Sequence, residues 1–378
     1  MNAIDPNIRN IASRFQTLGS FAEARPYGSG HIHDTFLVTA GPHPGKRYLL
    51  QRMNHHVFRN ISGLMSNIER VTSHLRAKLA ASPGHDPERE CLTLIPTLDG
   101  SSFLQDGEGC FWRMYLFIPD SHSYDRATDP VHVAECGRAF GRFITLVSDL
   151  PGERLCDTIP AFHDLENRLR NFRDSVRTDS AGRVSGVSSE IRFVEIRAEA
   201  MCVLQHLGRT GDIAERVTHN DTKINNVLFD SNNSALCVVD LDTVMPGYVH
   251  FDFGDAIRTG ANTGAEDEAD LGRVSINLPF FAAFARGFLE ETAAILTRTE
   301  IETLAFSANY MTFIIGLRFL TDHLDGDRYY KIHFPGHNLQ RARAQFKLIE
   351  SMEAEKRKMQ ETVLKTAELF IVHKEDDP

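Results

Sequence analysis

The sequence predicts an α+β protein of two lobes: a small N-terminal lobe rich in strands, and a larger, mainly helical C-terminal lobe. At 378 residues the chain is longer than one ordinary core accommodates. Residues 1–118 have the pattern of strands around one amphipathic helix, and residues 119–378 have mostly helical patterns. We therefore expect a boundary near residue 118 and a cleft between the lobes.

The composition limits the class of protein and its partners. Apolar residues make up 42% of the chain and charged residues 24%, as in soluble globular proteins. The net charge of -10 argues against a nucleic-acid or membrane-surface partner, because phosphate polymers select basic surfaces. Six cysteines without a C-x-x-C pair favour a reducing compartment. Without a signal-peptide pattern or a run of about 18 apolar residues, we expect a cytoplasmic protein.

In the small lobe, the expected order is a helix over about residues 7–18, then a glycine turn between two extended segments. A strand at "KRYLLQRMN", a helix at "GLMSNIERVTSHLRAKLAAS" and strands at "LTLIPTLDG" and "CFWRMYLFI" follow. In the large lobe we expect helices at "VHVAECGRAFGRFITLV", "DLENRLRNFRDSV" and "IRFVEIRAEAMCVLQHLGR". The segment "RTDSAGRVSGVSS" predicts a mobile surface loop.

A cluster of polar residues stands between two apolar strands of the large lobe. Its spacing is His219-x-Asp221-x-Lys223-x-x-Asn226, and Asp240 follows in "VVDLD". Buried polar groups cost free energy unless they are paired, so a folding core has no use for such a cluster. Turn capping accounts for one or two of these residues, but not for five in this order. The cluster therefore indicates chemistry.

Phosphoryl transfer requires these residue types at such distances. Asp221 would orient the attacking hydroxyl, and Lys223 would neutralise charge on the transferred group. Asn226 and Asp240 would supply the oxygen ligands that Mg²⁺ prefers. The order matches the catalytic loop of protein kinases, with His219-Asn220-Asp221 at the H-R-D position and Asp240 at the metal-binding Asp.

Three nearby features extend this prediction. Asp242 is either a second metal ligand or a strand-end carboxylate bonded to the backbone. A literal D-F-G begins at Asp252, which we expect to open a helix and to support the catalytic loop from behind, as His219 would. The glycine turn, with Gly28, Ser29 and Gly30, is a candidate lid over phosphates. The histidines of this turn, His31 and His33, are expected to be exposed rather than to bind a metal.

These motifs resemble the aminoglycoside phosphotransferase and choline kinase family, which has a two-lobed protein-kinase-like fold. The stretches that carry the resemblance include "YGSGHIHDTFLV", "TIPAFHDLENRL", "THNDTKINNVLFD", "VVDLDTVMPGYVHFDFGDAIRTGAN" and "LRFLTDHLDGDRYYKI". Within the family, the sequence is most similar to the bacterial N-acetylhexosamine 1-kinases.

The resemblance implies an ATP site and an acceptor site. Gln51 or Arg52 would stand where kinases have the phosphate-binding strand lysine, and alternation allows only one of them to face the nucleotide. Glu69 would be the salt-bridge partner, which favours Arg52, whereas alignment on "LLQ" favours Gln51. Adenine would bond to the backbone near Phe117 and Ile118. Arg318 would bind the acceptor, or pair with Asp322 one helical turn on, or do both.

The sequence thus predicts an ATP- and Mg²⁺-dependent small-molecule kinase whose partners are ATP and a small acceptor. The resemblance implies a hexose or N-acetylhexosamine phosphorylated at C1. Choline, homoserine or an aminoglycoside is the alternative acceptor. A nucleotide-binding pseudokinase and a hydrolase are the alternatives outside this class. The acceptor, the nucleotide preference and the oligomeric state stay open at this point.

Overall fold

The computed structural model describes residues 6–28, 32–42 and 45–375. The small lobe comprises α1 (Pro6–Ala12), β1 (Phe21–Pro26), β2 (Asp34–Ala40), β3 (Lys46–Met53), α2 (Ile61–Ala81), α3 (Pro87–Glu90), β4 (Leu104–Gln105) and β5 (Phe111–Leu116). Its strands form one antiparallel sheet in the order β1-β2-β3-β5-β4. The predicted strand-rich lobe around one long helix is therefore confirmed.

Side chains on three neighbouring strands form a row across this sheet. Thr35 on β2 lies opposite Gln51 on β3, and Gln51 lies opposite Arg113 on β5. Because successive side chains of a strand point to opposite faces, Asp34 and Arg52 belong to the other face. The row of Thr35, Gln51 and Arg113 borders the cleft between the lobes.

Helix α2 connects the small lobe to the rest of the protein. Asn60 caps its first turn by accepting a hydrogen bond from the backbone N–H of Gly63 at 3.0 Å. The buried side chain of Asn67 donates to the carbonyl oxygens of Cys156 and Val244 at 2.8 and 3.0 Å. Since both acceptors belong to the large lobe, α2 helps to fix the position of one lobe against the other.

The large lobe is mainly helical. It comprises α4 (Pro130–Val147), α5 (Leu165–Thr178), α6 (Ser188–Met201), α7 (Val203–Thr210), β6 (Arg216–Thr218), β7 (Val227–Phe229), β8 (Ala235–Val238), β9 (Met245–Gly247), α8 (Val249–Gly260), α9 (Leu278–Thr292), α10 (Arg298–Leu324), α11 (His337–Ala354) and α12 (Lys356–Glu375). Two short antiparallel sheets, β6 with β9 and β7 with β8, carry the polar cluster. This arrangement is the strand-turn-strand insertion that the sequence predicts.

Helix α10 lies at the centre of the large lobe. Thr297 and Glu300 form a capping box at its start. Its length and composition would allow it to cross a membrane, but 78% of its most apolar window is buried inside the protein. It packs against α5, α8, α11 and α12. These contacts are those of a core helix in a helical lobe.

Three expected elements differ in the structure. Helix α1 ends at Ala12, well before the expected end near residue 18. The segment "LTLIPTLDG" is not a strand, since it makes only isolated bridges from Leu94 to Tyr115 and from Thr97 to Phe15. The single helix expected before the polar cluster is two helices, α6 and α7, which meet near Cys202. The first two elements differ because Phe15, Leu94 and Thr97 form bridges with segments that are distant in sequence, which no local pattern shows.

The Ser- and Gly-rich segment after α5 is anchored, which corrects the prediction of a mobile loop. It contains a short 3-10 turn, Val184–Val187, whose last residue is buried. Arg183 forms an ion pair with Asp327 at 2.6 Å and donates to the carbonyl oxygen of His323 at 2.8 Å. A single arginine therefore ties this segment to the end of α10 and the loop that follows.

Candidate active site

A buried aspartate holds the loop that follows β6. The carboxylate of Asp252 accepts the backbone N–H groups of His219 and Asn220 at 2.8 and 2.6 Å. Asn220 has a φ of 66°, in the left-handed region, so the loop needs such a support to keep this turn. The structure thus shows the predicted support of the catalytic loop by Asp252. It differs in one respect, because α8 begins at Val249 and Asp252 bonds the loop rather than its own helix.

His219 also has its side chain inside the protein. Its Nε2 lies 2.9 Å from the carbonyl oxygen of Val239, and its ring packs edge-on against Phe140 and Phe143. Val239 directly precedes Asp240 on the neighbouring segment. His219 therefore links the loop to the segment that carries the second acidic motif, which agrees with its predicted supporting place.

Asp221 and Lys223 form an ion pair at the mouth of the cleft. The Nζ of Lys223 lies 2.6 Å from Oδ1 of Asp221. Burial opposes the ionisation of Asp221, but the positive charge of Lys223 outweighs it and holds the pKa of this carboxyl below its ordinary value. Asp221 is thus an ionised, weakly basic carboxylate that can orient a hydroxyl group and accept its proton.

Asn226 and Asp240 stand on neighbouring segments beside this pair. The amide nitrogen of Asn226 donates to the backbone carbonyl of Asp221 at 2.8 Å and to its Oδ2 at 3.2 Å. The carbonyl oxygen is then the atom of this amide that is available to a cation. Asp240 lies beyond the end of β8 with a φ of 60°. Although it borders the open cleft, the surrounding protein and the charges of Asp242 and Asp221 raise the pKa of Asp240 to about 7.

The donor set fits Mg²⁺ bound together with a phosphate ligand. A raised pKa caused by neighbouring carboxylates indicates an excess of negative charge, which a cation would relieve. Within the described ranges, no group of three or more His, Cys, Asp or Glu side chains forms a self-contained metal site. Mg²⁺ commonly takes only one or two carboxylates and completes its shell with water and phosphate oxygens. The oxygens of Asn226 and Asp240 match that mode of binding.

Asp242 is held in a buried ion pair. Both of its oxygens accept hydrogen bonds from the guanidinium of Arg113, one of them at 2.7 Å, and Nε2 of His33 lies 2.6 Å from Oδ2. Burial opposes its ionisation, but Arg113 and His33 hold the pKa of Asp242 well below its usual range. Asp242 is thus bonded to two side chains, Arg113 and His33, and not to the backbone as the structural alternative expected, while its assignment as a second metal ligand stays a prediction. The same contacts correct the expectation for His33, whose side chain is only 8% exposed.

The cleft between the lobes brings most of the predicted site residues together. Its volume is about 700 Å³. Its lining includes Gly28, Gln51, Phe117, Ile118, Asp221, Lys223, Asn226 and Asp240. Ser29, Gly30 and His31 lie outside the described residues. The backbone N–H of Phe117 already donates to the carbonyl of Arg47 at 3.0 Å, and the carbonyl of Ile118 accepts from the hydroxyl of Ser121 at 2.8 Å. The backbone groups expected to meet adenine are therefore the carbonyl of Phe117 and the N–H of Ile118.

The structure answers the question of Gln51 and Arg52. Gln51 faces the cleft, where its Oε1 accepts from Nε of Arg113 at 2.9 Å and its Nε2 donates to Thr35 at 3.2 Å. Arg52 is on the opposite face, paired with Asp34. Glu69 is exposed on α2, so the expected Arg52–Glu69 pair is wrong. Arg113, which sequence reasoning missed, is the buried cation on the cleft side of the sheet. A lone charge inside the apolar strand "FWRMYL" was the available signal.

Arg318 lies among aromatic rings on the other side of the catalytic loop. Its guanidinium carbon is 5.3 Å from the ring centre of Phe162, 5.7 Å from that of Tyr329 and 5.5 Å from that of Tyr330. Its expected partner Asp322 instead accepts the backbone N–H groups of residues 328–330. The Arg318–Asp322 brace is therefore not formed, and Arg318 is left for another partner.

The two-lobed fold and the loop that presents Asp221 opposite Asp240 define the class of kinase-like phosphotransferases. The family described as "APH: Phosphotransferase enzyme family" matches residues 23–287. The chain belongs to this phosphotransferase family. The resemblance drawn from the sequence motifs is thus confirmed for the family, while the N-acetylhexosamine 1-kinase branch stays a prediction.

Solved structures have the same fold at low sequence identity. A microcompartment-associated aminopropanol kinase is 14% identical, with 94% of this chain and 99% of that chain covered and a TM-score of 0.60. An amicoumacin kinase in complex with AMP-PNP, Ca²⁺ and Ami is 13% identical, with coverage of 91% and 93% and a TM-score of 0.59. A spectinomycin phosphotransferase in complex with ADP and spectinomycin is 12% identical, with coverage of 97% and 99% and a TM-score of 0.54.

Proposed function

We propose that the protein transfers the γ-phosphoryl group of ATP to the C1 hydroxyl of a free sugar, a hexose or an N-acetylhexosamine. The observation that carries phosphoryl transfer is the Asp221–Lys223 pair at 2.6 Å, which borders a cleft of about 700 Å³ together with Asn226 and Asp240. The nucleotide-bound relatives of the same fold support ATP as the donor. We place the reaction in the cytoplasm, in keeping with six free cysteines.

Each residue of the proposed active site has its own role in the reaction. Asp221 orients the attacking hydroxyl and accepts its proton as the new oxygen–phosphorus bond forms, while the bond between the γ-phosphorus and the β–γ bridging oxygen of ATP breaks and ADP leaves. A hemiacetal hydroxyl is more acidic than an ordinary alcohol, so a weakly basic carboxylate is sufficient. Lys223 neutralises charge on the transferred group, and Gly28 and Gln51 border the nucleotide side. Asn226 and Asp240 would hold Mg²⁺, which supplies charge neutralisation at the phosphates when bound.

The sugar acceptor is the finer part of the proposal. The motifs "HNDTKINN" and "LRFLTDHLDGD" together are typical of the sugar 1-kinase branch. Phe162, Tyr329 and Tyr330 surround Arg318 with apolar ring faces and one fork of hydrogen-bond donors. Aromatic walls with few polar groups suit a sugar ring, whose carbon–hydrogen faces are apolar and whose edges bear hydroxyls.

An acceptor screen with ATP and Mg²⁺, analysed by phosphorus NMR, tests the proposal. We expect a sugar 1-phosphate, whose phosphorus couples to the anomeric proton. A 6-phosphate, or a preference for choline, homoserine or an aminoglycoside over every sugar, would contradict the C1 sugar assignment and retain the kinase class. Phosphate release without an acceptor would indicate a hydrolase, and nucleotide binding without any turnover a pseudokinase.

Asp221→Asn tests the assignment of the group that touches the hydroxyl. We expect turnover to fall by several powers of ten while nucleotide affinity stays within about threefold, since the side chain keeps its shape. Asp230→Asn, on the turn between β7 and β8, is the matched control. A folded Asp221→Asn variant with near-wild-type turnover would contradict the assignment.

A further inference from the structure

A second arginine lies beside Arg318 and was not part of the sequence prediction. Arg168, in the first turns of α5, donates through Nη2 to the carbonyl oxygens of Ala161 and Phe162 at 3.2 and 3.0 Å. Within the described part of the chain, its Nε is buried and has no hydrogen-bond partner. Burial and the positive charge of Arg318 both lower the pKa of the Arg168 guanidinium. Two positively charged guanidinium groups are thus held close together at a partly buried position.

Neither arginine has a carboxylate within ion-pair distance among the residues that the structure describes. The acidic side chains around them are engaged elsewhere: Asp221 with Lys223, Glu266 with Arg258, Asp164 with the N–H of Asn167, and Asp322 with the N–H groups of residues 328–330. Among the described residues, Arg318 contacts the rings of Phe162, Tyr329 and Tyr330 and donates one hydrogen bond, to the hydroxyl of Tyr329 at 3.5 Å. The charge of Asp164 acts on Arg168 from a distance, but two partly buried cations with no carboxylate at ion-pair distance are unfavourable for folding, so such a pair indicates an anionic ligand.

His163 connects this pair of arginines to the catalytic loop. Its Nε2 lies 3.2 Å from the backbone carbonyl oxygen of Asn220, the residue before Asp221. The preceding residue, Phe162, contacts both arginines, since its carbonyl accepts from Arg168 and its ring lies below Arg318. The arginines do not line the cleft that Gly28 and Gln51 border. Because they adjoin the loop that carries Asp221 and lie outside the lining shared with Gly28 and Gln51, we assign them to the acceptor side of the site.

We propose that the acceptor carries an anionic group, a carboxylate or a phosphate, which Arg168 and Arg318 bind. This inference rests on the proposed transfer to the C1 hydroxyl of a sugar and changes the expected sugar: a hexose that also bears a carboxylate or a phosphate should be preferred over the neutral hexose and N-acetylhexosamine named above, and over an amino sugar. The planar guanidinium forms paired hydrogen bonds with such oxyanions, and the two arginines would bind them from two sides. An amine on the acceptor would meet like charge at this position.

Acceptors that differ at one carbon test the inference. We would measure kcat/KM with saturating ATP and Mg²⁺ for a hexose, its uronic acid, its 6-phosphate and its amino sugar, in the gluco and galacto series. We expect one of the two anionic forms to exceed the neutral hexose by at least about tenfold, and the amino sugar to be the poorest acceptor. The carboxylate and phosphate arms distinguish the two sources of negative charge.

Variants assign any such preference to the two arginines. Arg168→Gln and Arg318→Gln should each lower kcat/KM for the anionic acceptor by about ten- to a hundredfold, and by a clearly larger factor than they lower it for the neutral hexose. Arg168→Lys, which keeps the charge and loses the fork, should retain part of the activity. Arg170→Gln is the control, because Arg170 is exposed on the same helix and bonds only Asn167 among the described residues.

The outcomes distinguish a failure of the anionic subsite from a failure of the proposed sugar kinase activity. A neutral or amino sugar as the best acceptor would overturn the anionic assignment and leave the sugar kinase intact. Preference for a small hydroxy acid such as glycerate over all sugars would overturn the sugar and support the anionic subsite. If no acceptor turns over, calorimetry with inorganic phosphate in the presence of AMP-PNP and Mg²⁺ decides. Phosphate binding that is equal in the wild type and in the double Arg168→Gln/Arg318→Gln variant, or absent from both, overturns the subsite.

Discussion

The ion pair between Arg113 and Asp242 joins the two lobes at the cleft, and Arg113→Met is the sharpest test of its role. Arg113 comes from β5 of the small lobe, and Asp242 follows Asp240 in the large lobe. Each side chain is 2% exposed. Methionine keeps much of the volume and removes the charge, so the variant leaves Asp242 buried without its main partner.

The contacts of Asp242 set the expected magnitude. Removing one member of a buried ion pair costs about 3–5 kcal/mol, because the remaining charge stays in a medium of low polarity. His33 remains 2.6 Å from Asp242 and preserves one hydrogen bond. Loss of Arg113 also leaves Gln51 without the donor to its Oε1. Because His33 keeps its hydrogen bond to Asp242, we expect Arg113→Met to lower the free energy of unfolding by about 3 kcal/mol, the lower end of the range, even with the donor to Gln51 lost.

Urea unfolding of a double-mutant cycle measures this effect. Arg113→Met, Asp242→Leu and the double variant are compared, and the double variant should recover most of the loss because no charge is left unpaired. Arg154→Met is the control, since it breaks an exposed pair with Glu215 and should cost about 0–1 kcal/mol. A loss for Arg113→Met no larger than that of the control, with no recovery in the double variant, would refute the reasoning.

Two further variants separate the acidic motifs. Asp240→Ala should abolish Mg²⁺-dependent nucleotide binding in calorimetry with little change in Tm, whereas unchanged binding would remove Asp240 from the metal site. Burial raises the pKa of Asp252 to about 6, so its contribution to stability is present below about pH 4 and is lost as the pH rises through about 6. The wild type should therefore lose about 3 kcal/mol of unfolding free energy relative to Asp252→Asn between pH 3 and pH 7, and parallel stability curves would contradict this.

Most of the fold and the catalytic half of the site were predictable, because their signals are local in sequence. Apolar spacing predicts α2, and alternation predicts β3. Asp221, Lys223 and Asn226 occupy six consecutive positions on one loop, so their order alone places them together. Asp240 follows after one short hairpin, β7 with β8, which returns the chain to the same place. So short a hairpin can fold in few ways, so the position of Asp240 near the catalytic loop could be predicted from the sequence.

The remaining contacts depend on pairing between distant segments, which no local pattern encodes. Asp242 and Arg113 are 129 positions apart, and only the sheet register shows that Arg113 stands beside Gln51 on the cleft face. Arg52 was a reasonable candidate from sequence alone. In the structure Arg52 pairs with Asp34, which lies directly opposite on β2. Cross-strand neighbours on one face of a sheet are close enough to form such an ion pair.

The proposed acceptor side has a different construction from the catalytic loop, and this difference bears on how specificity changes. Its residues come from the segment before α5 and the first turn of α5, and, much further along the chain, from α10 and the loop of residues 328–330 that follows it. Asp322 connects two of these parts, because it lies one turn after Arg318 on α10 and accepts three backbone N–H groups of that loop at 2.7–2.9 Å. Asn338 donates to the same carboxylate at 2.9 Å. The aromatic wall of Tyr329 and Tyr330 is therefore fixed relative to Arg318 by contacts that, within the described ranges, do not include Asp221. On the proposed assignment, we expect substitutions in this loop to alter the choice of acceptor while phosphoryl transfer itself is retained.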